Sequence, residues 1–292
     1  MQTVLGVIGG SGVYDIEGLE DATWIAVESP WGEPSDSLLK GRLGKVEMVF
    51  LPRHGRSHHL TPSAINYRAN IDAMKRAGVT DIISISACGS LREDLAPGMF
   101  VMVDQFIDMT YAREKSFFGP GFVAHVSMAD PVCPRLGQAL GEAADEVGVP
   151  HHMGGTYLTI EGPQFSSLAE SRLYRMWGCD VIGMTNMPEA KLAREAEIPY
   201  AVIAMVTDYD CWHPDHAHVQ VSDVIDALRH NADNARRLIS VLAPKLGPDR
   251  TPSPLGVEHV LDSAIVTPSA ARDPVLAGKL SALVSRVMKD SK

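Results

Sequence analysis

The chain has 292 residues, 45% of them hydrophobic and 21% charged, so it can form one large globular domain or two small ones. Its formal net charge of −10, with no compensating run of lysines and arginines, disfavours nucleic acid as a partner. Four cysteines without a CxxC pair predict neither a disulfide framework nor a zinc site, and the first residues contain neither a signal sequence nor a membrane span. We therefore expect a cytoplasmic protein without nucleic-acid or membrane partners.

Short apolar runs bounded by Gly, Pro or Asp alternate with amphipathic segments, which is typical of an α/β fold built on a largely buried sheet. Pro62 predicts a helix that begins there and ends at Gly78. Another helix is predicted to begin after Ser166 or Ser167, either of which can cap it. The other predicted elements are strands at 3–8, 46–51, 81–86, 99–104, 155–160 and 201–206, and helices at 136–147, 221–242 and from Asp273 onward.

A segment rich in Pro and Gly, at 246–256, separates most of the chain from its last residues. We expect residues 1–246 to form one domain. Residues 247–292 are predicted to form a linker and a helical appendage packed on that domain, because so short a tail cannot hold a core of its own.

Three segments at the ends of predicted strands could bind an anion. VIGGSGVYD at 7–15 places glycines directly after a strand, LPRHGRSHH at 51–59 adds cations, and SISACGSLRED at 84–94 adds small residues and hydroxyls. Each has a plainer alternative, namely a tight turn without a ligand, a solvated basic loop, or a strand-to-helix turn. Together they predict one anion site at the edge of the sheet.

Two further segments carry side chains that could contact an organic ligand. In TIEGPQFSSLAES at 159–171, Phe165 either presents its ring to a ligand or fills the core. In VIGMTNMPEA at 181–190, Met184 is either a core residue or a polarizable floor under a sugar. The sequence alone leaves both alternatives open.

The segment TDYDCWHPDH at 207–216 follows an apolar run and contains a pair of carboxylates. If it stays extended, Asp208 and Asp210 lie on one face, and only one of them ionises cheaply. A donor beside an acceptor complements N7 and the 6-amino group of adenine. The alternatives are a helix N-cap at Asp210 or a calcium-type loop. No carboxylate or cysteine pattern completes a metal site with His213, His216 and His218.

Seven motifs in order, GGSG, RHGR, SACGSLRE, DQFID, TIEGPQFSS, MTNMPE and TDYDCW, run from Val7 to Leu242. In this the chain resembles the 5′-methylthioadenosine phosphorylase branch of the trimeric purine nucleoside phosphorylase family. The resemblance implies a central mixed, partly barrel-like sheet flanked by helices, and reversible phosphorolysis of a small nucleoside. It also implies a homotrimer that uses phosphate as co-substrate and needs no metal or other cofactor.

The same resemblance assigns roles to individual residues. Asp208 is the expected catalytic acid at N7, and Asp210 is expected to hold the 6-amino group. Gly183 stands where relatives often carry asparagine. Phe165 is expected near the base and Met184 against the ribose, and the phosphate is expected to contact Ser11, Arg53, His54, Ser86, Ala87 and Thr185. The residues expected to set specificity for the 5′ substituent are Ser166, Val221, Val224 and, across a subunit interface, His125.

Three alternatives to this activity stay open. The chain could act on 6-oxopurine nucleosides, although the relatives that do so lack the DYD pattern present here. It could be a nucleosidase that uses water in place of phosphate. It could also bind a nucleoside without turning it over.

Overall fold

The structure is a computed structural model that describes residues 2–10, 12–214 and 221–289, with the backbone alone for 221–226 and 289. Within these residues the chain forms eleven strands and eight α-helices. The strands are β1 (Val4–Gly9), β2 (Glu20–Ile25), β3 (Leu38–Leu43), β4 (Val46–Pro52), β5 (Asp81–Ser90), β6 (Phe100–Met102), β7 (Gln105–Asp108), β8 (His151–Met153), β9 (Thr156–Thr159), β10 (Val181–Gly183) and β11 (Tyr200–Asp208). The helices are α1 (Tyr67–Arg76), α2 (Pro134–Val147), α3 (Leu168–Met176), α4 (Asn186–Glu195), α5 (Val221–Leu246), α6 (Leu261–Ala264), α7 (Pro274–Lys279) and α8 (Ser281–Lys289).

All eleven strands belong to one mixed sheet that branches at β5. The order β2-β3-β4-β1-β5-β10-β9-β7 makes up one path, and β11, β6 and β8 extend from β5 along a second. β5 pairs in parallel with β1 and β11 and antiparallel with β10. The predicted central mixed sheet flanked by helices is therefore confirmed.

The helices cover both faces of the sheet, and β11 shows how. Ala201, Ile203 and Met205 pack in a core cluster that includes residues of α2 and α5. The alternate residues 202, 204 and 206 pack in another cluster, with residues of α1, α4 and α8. Because side chains alternate along a strand, a strand buried on both faces reads as the continuous apolar run seen in the sequence.

The helix predicted to begin at Pro62 begins later, at Tyr67, so this prediction is wrong at its start. The Asn66 side chain accepts a hydrogen bond of 3.1 Å from the N–H of Ala69 and so caps the helix there. The predicted end is correct, because Gly78 follows the helix with φ of +85°, a conformation that glycine adopts without strain.

The last segment of the chain lies against the same core as the rest. Leu280, Leu283 and Val284 are buried in the cluster that contains residues of α1 and α4. Arg286 forms an ion pair with the buried carboxylate of Glu197. These contacts agree with an appendage on one domain, and the domain boundary at residue 246 stays a prediction. Nowhere in the described part of the chain is a helix both long and apolar enough to cross a membrane.

Candidate active site

The two aspartates of TDYDCW lie in a turn. β11 ends at Asp208, and Asp210 has φ of +51°, so the condition that residues 207–210 stay extended, under which the two carboxylates would share one face, is not met. The main-chain N–H of Asp210 donates a hydrogen bond of 2.8 Å to Oδ1 of Asp208, which fixes the turn. Residues 211–214, which directly follow Asp210, are not helical, so Asp210 is not a helix N-cap. A Cβ on Gly89 of β5 would lie 2.8 Å from Oδ1 of Asp208, and the glycine gives that oxygen its space.

Burial controls the protonation of Asp208. It raises the pKa of this carboxyl above its usual value, while hydrogen bonds from Thr207 and the Asp210 N–H act in the opposite direction. Thr207 Oγ1 lies 2.7 Å from Oδ2 of Asp208 and 3.1 Å from the carbonyl oxygen of Cys88. A hydroxyl has one proton, so Thr207 can donate to the carboxylate or turn to Cys88 when Oδ2 is protonated. Asp208 is accommodated in both protonation states.

Asp210 has a different set of neighbours. Burial raises the pKa of its carboxyl, the Ser171 hydroxyl opposes this, and the negative charge of Asp208 raises the pKa further. Ser171 Oγ is near enough to affect this pKa. Neither it nor Ser166 Oγ, however, makes a hydrogen bond of ordinary geometry within the described chain, although both atoms are buried. The Asp210 carboxylate and these two hydroxyls form a polar cluster, in which the hydroxyls have unused hydrogen-bonding capacity within the described chain.

Trp212 fastens the segment after the aspartates to the sheet. Its indole N–H donates a hydrogen bond of 2.8 Å to the carbonyl oxygen of Ser90, the last residue of β5. The guanidinium of Arg175 on α3 lies 3.5 Å from the Trp212 ring centroid, a cation–π contact. Both aspartates are therefore held between β11 on one side and a fixed aromatic residue on the other.

The hydroxyls predicted to bind phosphate meet at the other end of the same region. Ser86 on β5 is buried, and its Oγ lies 3.2 Å from Oγ1 of Thr185, which directly precedes α4. Ser86 Oγ also lies 3.2 Å from the carbonyl oxygen of Ala87, which is half-buried. The first residues of α4 do not form a regular helical turn, because Met187 has φ of −119° and ψ of 132° and Pro188 has no N–H. The hydroxyls of Ser86 and Thr185 are therefore the groups that suit this position to an anion.

Arg53 lies underneath this site with its guanidinium engaged by the protein. It forms hydrogen bonds of 2.8 and 2.9 Å to the two carboxylate oxygens of Glu189, and others to Ser84 Oγ and the carbonyl oxygens of Ile85 and Ile8. Burial alone would lower the pKa of Arg53, but Glu189 outweighs it and raises the pKa. Within the described residues, one of its five N–H donors, on Nη1, makes no hydrogen bond. If Arg53 contacts phosphate as predicted, that N–H is the group that donates the hydrogen bond.

His54 is neutral in this environment. Burial lowers its pKa to about 4, and its Nδ1 lies 2.9 Å from the carbonyl oxygen of Leu60. A neutral ring that donates from Nδ1 keeps Nε2 as an acceptor. At this site Nε2 can accept a hydrogen bond from a protonated phosphate oxygen.

The residues predicted near base and sugar have distinct positions. The Phe165 side chain is 47% exposed, so it does not fill the core. Ser167, and not Ser166, caps α3 through a reciprocal pair of hydrogen bonds with Glu170, which leaves Ser166 beside Asp210. Met184 is half-buried, and its sulfur occupies the space beside Gly162.

The remaining predicted residues include some that the structure does not describe and two that make contacts elsewhere. Ser11, His216 and His218 lie outside the described residues, as do the side chains of Val221 and Val224. His125 is exposed, and its N–H bonds the carbonyl oxygen of Ala264 in the tail. His213 lies 3.1 Å from a carboxylate oxygen of Glu93.

Sequence reasoning missed three buried polar residues of the site. Glu189 binds Arg53, and the Tyr157 hydroxyl lies 3.0 Å from Ser86 Oγ. Arg113 donates to the carbonyl oxygens of Met184 and Met187 and so holds the chain on both sides of Thr185. A usable signal was present for Glu189 alone, as a carboxylate within the quoted MTNMPEA segment beside apolar residues.

The chain is similar to proteins of known activity. Residues 4–243 match the model of the phosphorylase superfamily. An S-methyl-5′-thioadenosine phosphorylase of Rhodospirillum rubrum is 63% identical over 98% of both chains, and one of Cereibacter sphaeroides is 62% identical over 99% of this chain and 100% of that one. A crystal structure of a methylthioadenosine phosphorylase from an Antarctic soil metagenomic library has a TM-score of 0.91 at 47% identity, covering 96% of this chain and 98% of that one. A methylthioadenosine phosphorylase from Schistosoma mansoni in complex with adenine has a TM-score of 0.83 at 36% identity, covering 90% and 99%. The chain therefore belongs to the phosphorylase superfamily.

Proposed function

We propose that the chain releases adenine from 5′-methylthioadenosine by phosphorolysis, as a pentosyltransferase that yields 5-methylthioribose 1-phosphate. One observation carries the proposal. Asp208, whose burial favours the protonated form, pairs with Gly89 of β5, three residues beyond Ser86. At about 3.3 Å per residue, the acid and the hydroxyl pair of Ser86 and Thr185 are about 10 Å apart along the strand. A nucleoside with phosphate at its C1′ spans such a site from purine to phosphate.

The reaction has three linked changes at the substrate. A phosphate oxygen bonds to C1′ as the C1′–N9 bond breaks, through a sugar with oxocarbenium character. The bonding electrons move onto the purine, and Asp208 gives its proton to N7, so adenine leaves as a neutral base. Hydrogenphosphate loses its proton to solvent as it becomes the sugar phosphate, and Asp208 takes up a proton from solvent, so the number of protons is conserved. Thr207 supports this cycle because it can donate to Oδ2 once the proton has gone.

Phosphate needs positioning more than activation, since it already carries negative charge. Ser86 and Thr185 supply hydroxyls, and His54 supplies an acceptor at Nε2. We infer that Ser11, the Ala87 main chain and the remaining Nη1 donor of Arg53 complete the shell. No metal or organic cofactor enters this proposal.

Asp210 distinguishes aminopurines from 6-oxopurines. Its carboxylate accepts a hydrogen bond from the 6-amino group, whereas a 6-oxopurine would set a carbonyl oxygen against it. An unpaired buried polar group costs about 1–3 kcal/mol. Ser166 Oγ, which is buried beside Asp210, is suited to a further contact with the base.

The 5′-methylthio group requires an apolar pocket. We assign Val221 and Val224 to this pocket, together with His125 of a neighbouring subunit. His125 is available for such a contact because it is exposed, beside Ala264 of the C-terminal segment. A homotrimer is part of this proposal. It is supported by apolar side chains at the end of α3 and directly after it that are between 40% and 82% exposed, namely Leu173, Met176 and Trp177. The four cysteines are free, which suits a cytoplasmic location.

One assay tests the proposal. Release of the purine base, which is hypoxanthine for inosine and adenine for the other substrates, is measured from 5′-methylthioadenosine, 5′-deoxyadenosine, adenosine and inosine, each with and without phosphate. We expect rapid release from methylthioadenosine that depends on phosphate, slower release from adenosine and none from inosine. Equal release after phosphate is removed would instead assign a nucleosidase. Binding without any release would leave a nucleoside-binding protein. Light scattering in the same buffer measures the mass, and a monomer would refute the shared 5′ pocket.

A further inference from the structure

Tyr157 occupies a position that connects the phosphate hydroxyls to the sugar side of the site. It lies on β9, its side chain is fully buried, and its hydroxyl is 3.0 Å from Ser86 Oγ. A Cβ on Gly183 would lie 1.7 Å from that hydroxyl oxygen. The phenol therefore fills the side-chain space of residue 183, directly before Met184 and Thr185.

The geometry restricts which group donates. Burial raises the pKa of the Tyr157 hydroxyl, so the phenol keeps its proton. Ser86 has a single proton and three oxygens in reach, which are Tyr157 Oη at 3.0 Å, Thr185 Oγ1 at 3.2 Å and the Ala87 carbonyl oxygen at 3.2 Å. When Tyr157 donates to Ser86, a lone pair of Ser86 is satisfied and its own proton is free to point away from the phenol.

We propose that Tyr157 is a positioning residue of the phosphate site, which fixes the rotamer and the donor direction of Ser86 and which requires glycine at residue 183. This inference rests on the proposed phosphorolysis. The phenol itself touches no substrate in this proposal and acts through Ser86. Its effect is therefore expected on phosphate, with little effect on the nucleoside, whose base is held by Asp208 and Asp210.

Tyr157→Phe is the first test, because it removes one oxygen atom and keeps the ring that packs against Phe106 at 5.9 Å. We expect the KM for phosphate to rise about 3- to 10-fold, the range for losing one net hydrogen bond. We expect kcat and the KM for methylthioadenosine to stay within about twofold, because the aspartates are unchanged. Tyr111→Phe serves as the control, since it also removes a phenol hydroxyl, here from a residue that is 82% exposed.

A double-variant cycle separates positioning from general destabilisation. In the Ser86→Ala background, Tyr157→Phe is expected to leave the phosphate KM unchanged, because the residue it acts through is gone. Gly183→Ala is a second variant on the same contact. Its methyl group displaces the phenol from Ser86, so the same selective rise in phosphate KM is expected.

The inference is overturned if Tyr157→Phe leaves the KM for phosphate unchanged, or if it raises the KM for phosphate and the KM for methylthioadenosine equally. It is also overturned if Tyr157→Phe raises the KM for phosphate as much in the Ser86→Ala background as in wild type. Calorimetric binding of inorganic phosphate to the intact protein gives a readout independent of turnover. A wild-type protein that binds phosphate without phosphorolysis would contradict the proposed function. In that case weaker phosphate binding by Tyr157→Phe would still support the role of Tyr157, and unchanged binding would refute it.

Discussion

The N–H of Asp210 and the carboxylate of Asp208 are joined by a hydrogen bond of 2.8 Å, so the main chain of one aspartate holds the side chain of the other. This bond favours ionised Asp208, whereas burial favours the protonated form and is the stronger influence. The result is a carboxyl group whose pKa is raised but which remains able to lose its proton. Such a balance suits a general acid that must be regenerated in every turnover.

Asp208→Asn is expected to lower kcat with methylthioadenosine by at least about 100-fold, because a positioned general acid contributes about 10²- to 10⁴-fold. Substrate binding, measured by calorimetry, is expected to persist, since the amide retains an oxygen that can accept from Asp210. Asp145→Asn, at a carboxylate 79% exposed, is the control and should leave kcat unchanged. An undiminished kcat in Asp208→Asn would remove this residue from the mechanism.

The same variant makes a prediction about stability. Burial raises the pKa of Asp208 in the native state, so between 3.8 and that raised value the native chain binds more protons than the unfolded chain. The contribution of Asp208 to the free energy of unfolding is therefore lost as pH rises through its native pKa. Asp208→Asn should unfold at a urea concentration at least equal to that of wild type at pH 8. A large loss of stability there would show that the carboxylate has a structural role.

Asp210→Asn is expected to shift the preference between bases. Its amide can present an N–H to the 6-oxo group, so the ratio of kcat/KM for methylthioadenosine to that for methylthioinosine should fall about 5-fold or more. Ser166→Ala is the control, because it removes a polar group beside residue 210 but leaves the Asp210 carboxylate as the hydrogen-bond acceptor for the 6-position. A fall in kcat/KM for both substrates with a constant ratio would argue against recognition of the 6-position by Asp210.

Glu189→Gln is expected to destabilise the protein by about 3–5 kcal/mol, because it leaves the buried Arg53 without its counter-ion. Arg53 is 2% and Glu189 1% exposed, so water cannot replace the lost partner. The measurement is the free energy of unfolding from urea titrations.

Glu146→Gln provides the matched control for that variant. Glu146 pairs with Lys245 at 2.8 Å, but the two side chains are 56% and 36% exposed, so the change should be below about 1 kcal/mol. A similar decrease in the free energy of unfolding in the two variants would mean that the buried Arg53–Glu189 ion pair stabilises the protein no more than an exposed one.

The neutral state of His54 gives a pH dependence. Its pKa falls from 6.5 to about 4 on folding, so between these values the unfolded chain binds more protons than the native one. The free energy of unfolding should therefore fall as pH decreases from about 6.5 to about 4, with His54 accounting for about 3 kcal/mol at most.

His54→Asn isolates this contribution, because its amide can still donate to the Leu60 carbonyl oxygen while it does not titrate. The stability difference between wild type and variant is measured at pH 7.5 and pH 5. We expect wild type to lose more stability than the variant over this interval. A parallel loss in both proteins would mean that His54 is protonated in the native state.

The sequence predicted those parts of the fold that follow from hydrophobic pattern. β1, β4, β5 and β11 are buried apolar runs, and each was predicted to within a few residues. β2 was missed because all but its last residue are exposed, so it has no apolar pattern to read. The start of α1 was misplaced because the proline signal at residue 62 competes with a stronger cap at Asn66.

At the candidate site, residue types were predictable and their partners were not. The aspartate pair stood out in the sequence, but the positive φ of Asp210 depends on a turn that the sequence pattern does not specify. Arg53 was predicted to contact phosphate, but its pairing with Glu189, 136 residues away, follows only from the tertiary structure. Tyr157 read as an ordinary strand residue, because its relationship to Gly183 exists only when β9 and β10 are paired.

The branching of the sheet at β5 has a consequence for how activity is acquired during folding. Ser84, in the middle of β5, pairs with Ile8 of β1 and with Val202 of β11, partners 76 and 118 residues distant along the chain. Closing such long loops is entropically unfavourable until several strands have docked. The hydroxyls of β5 and the aspartates that follow β11 therefore come together late. Folding intermediates that lack the β5–β11 pairing are expected to be inactive, and activity during refolding should appear in one step with the final packing of the sheet.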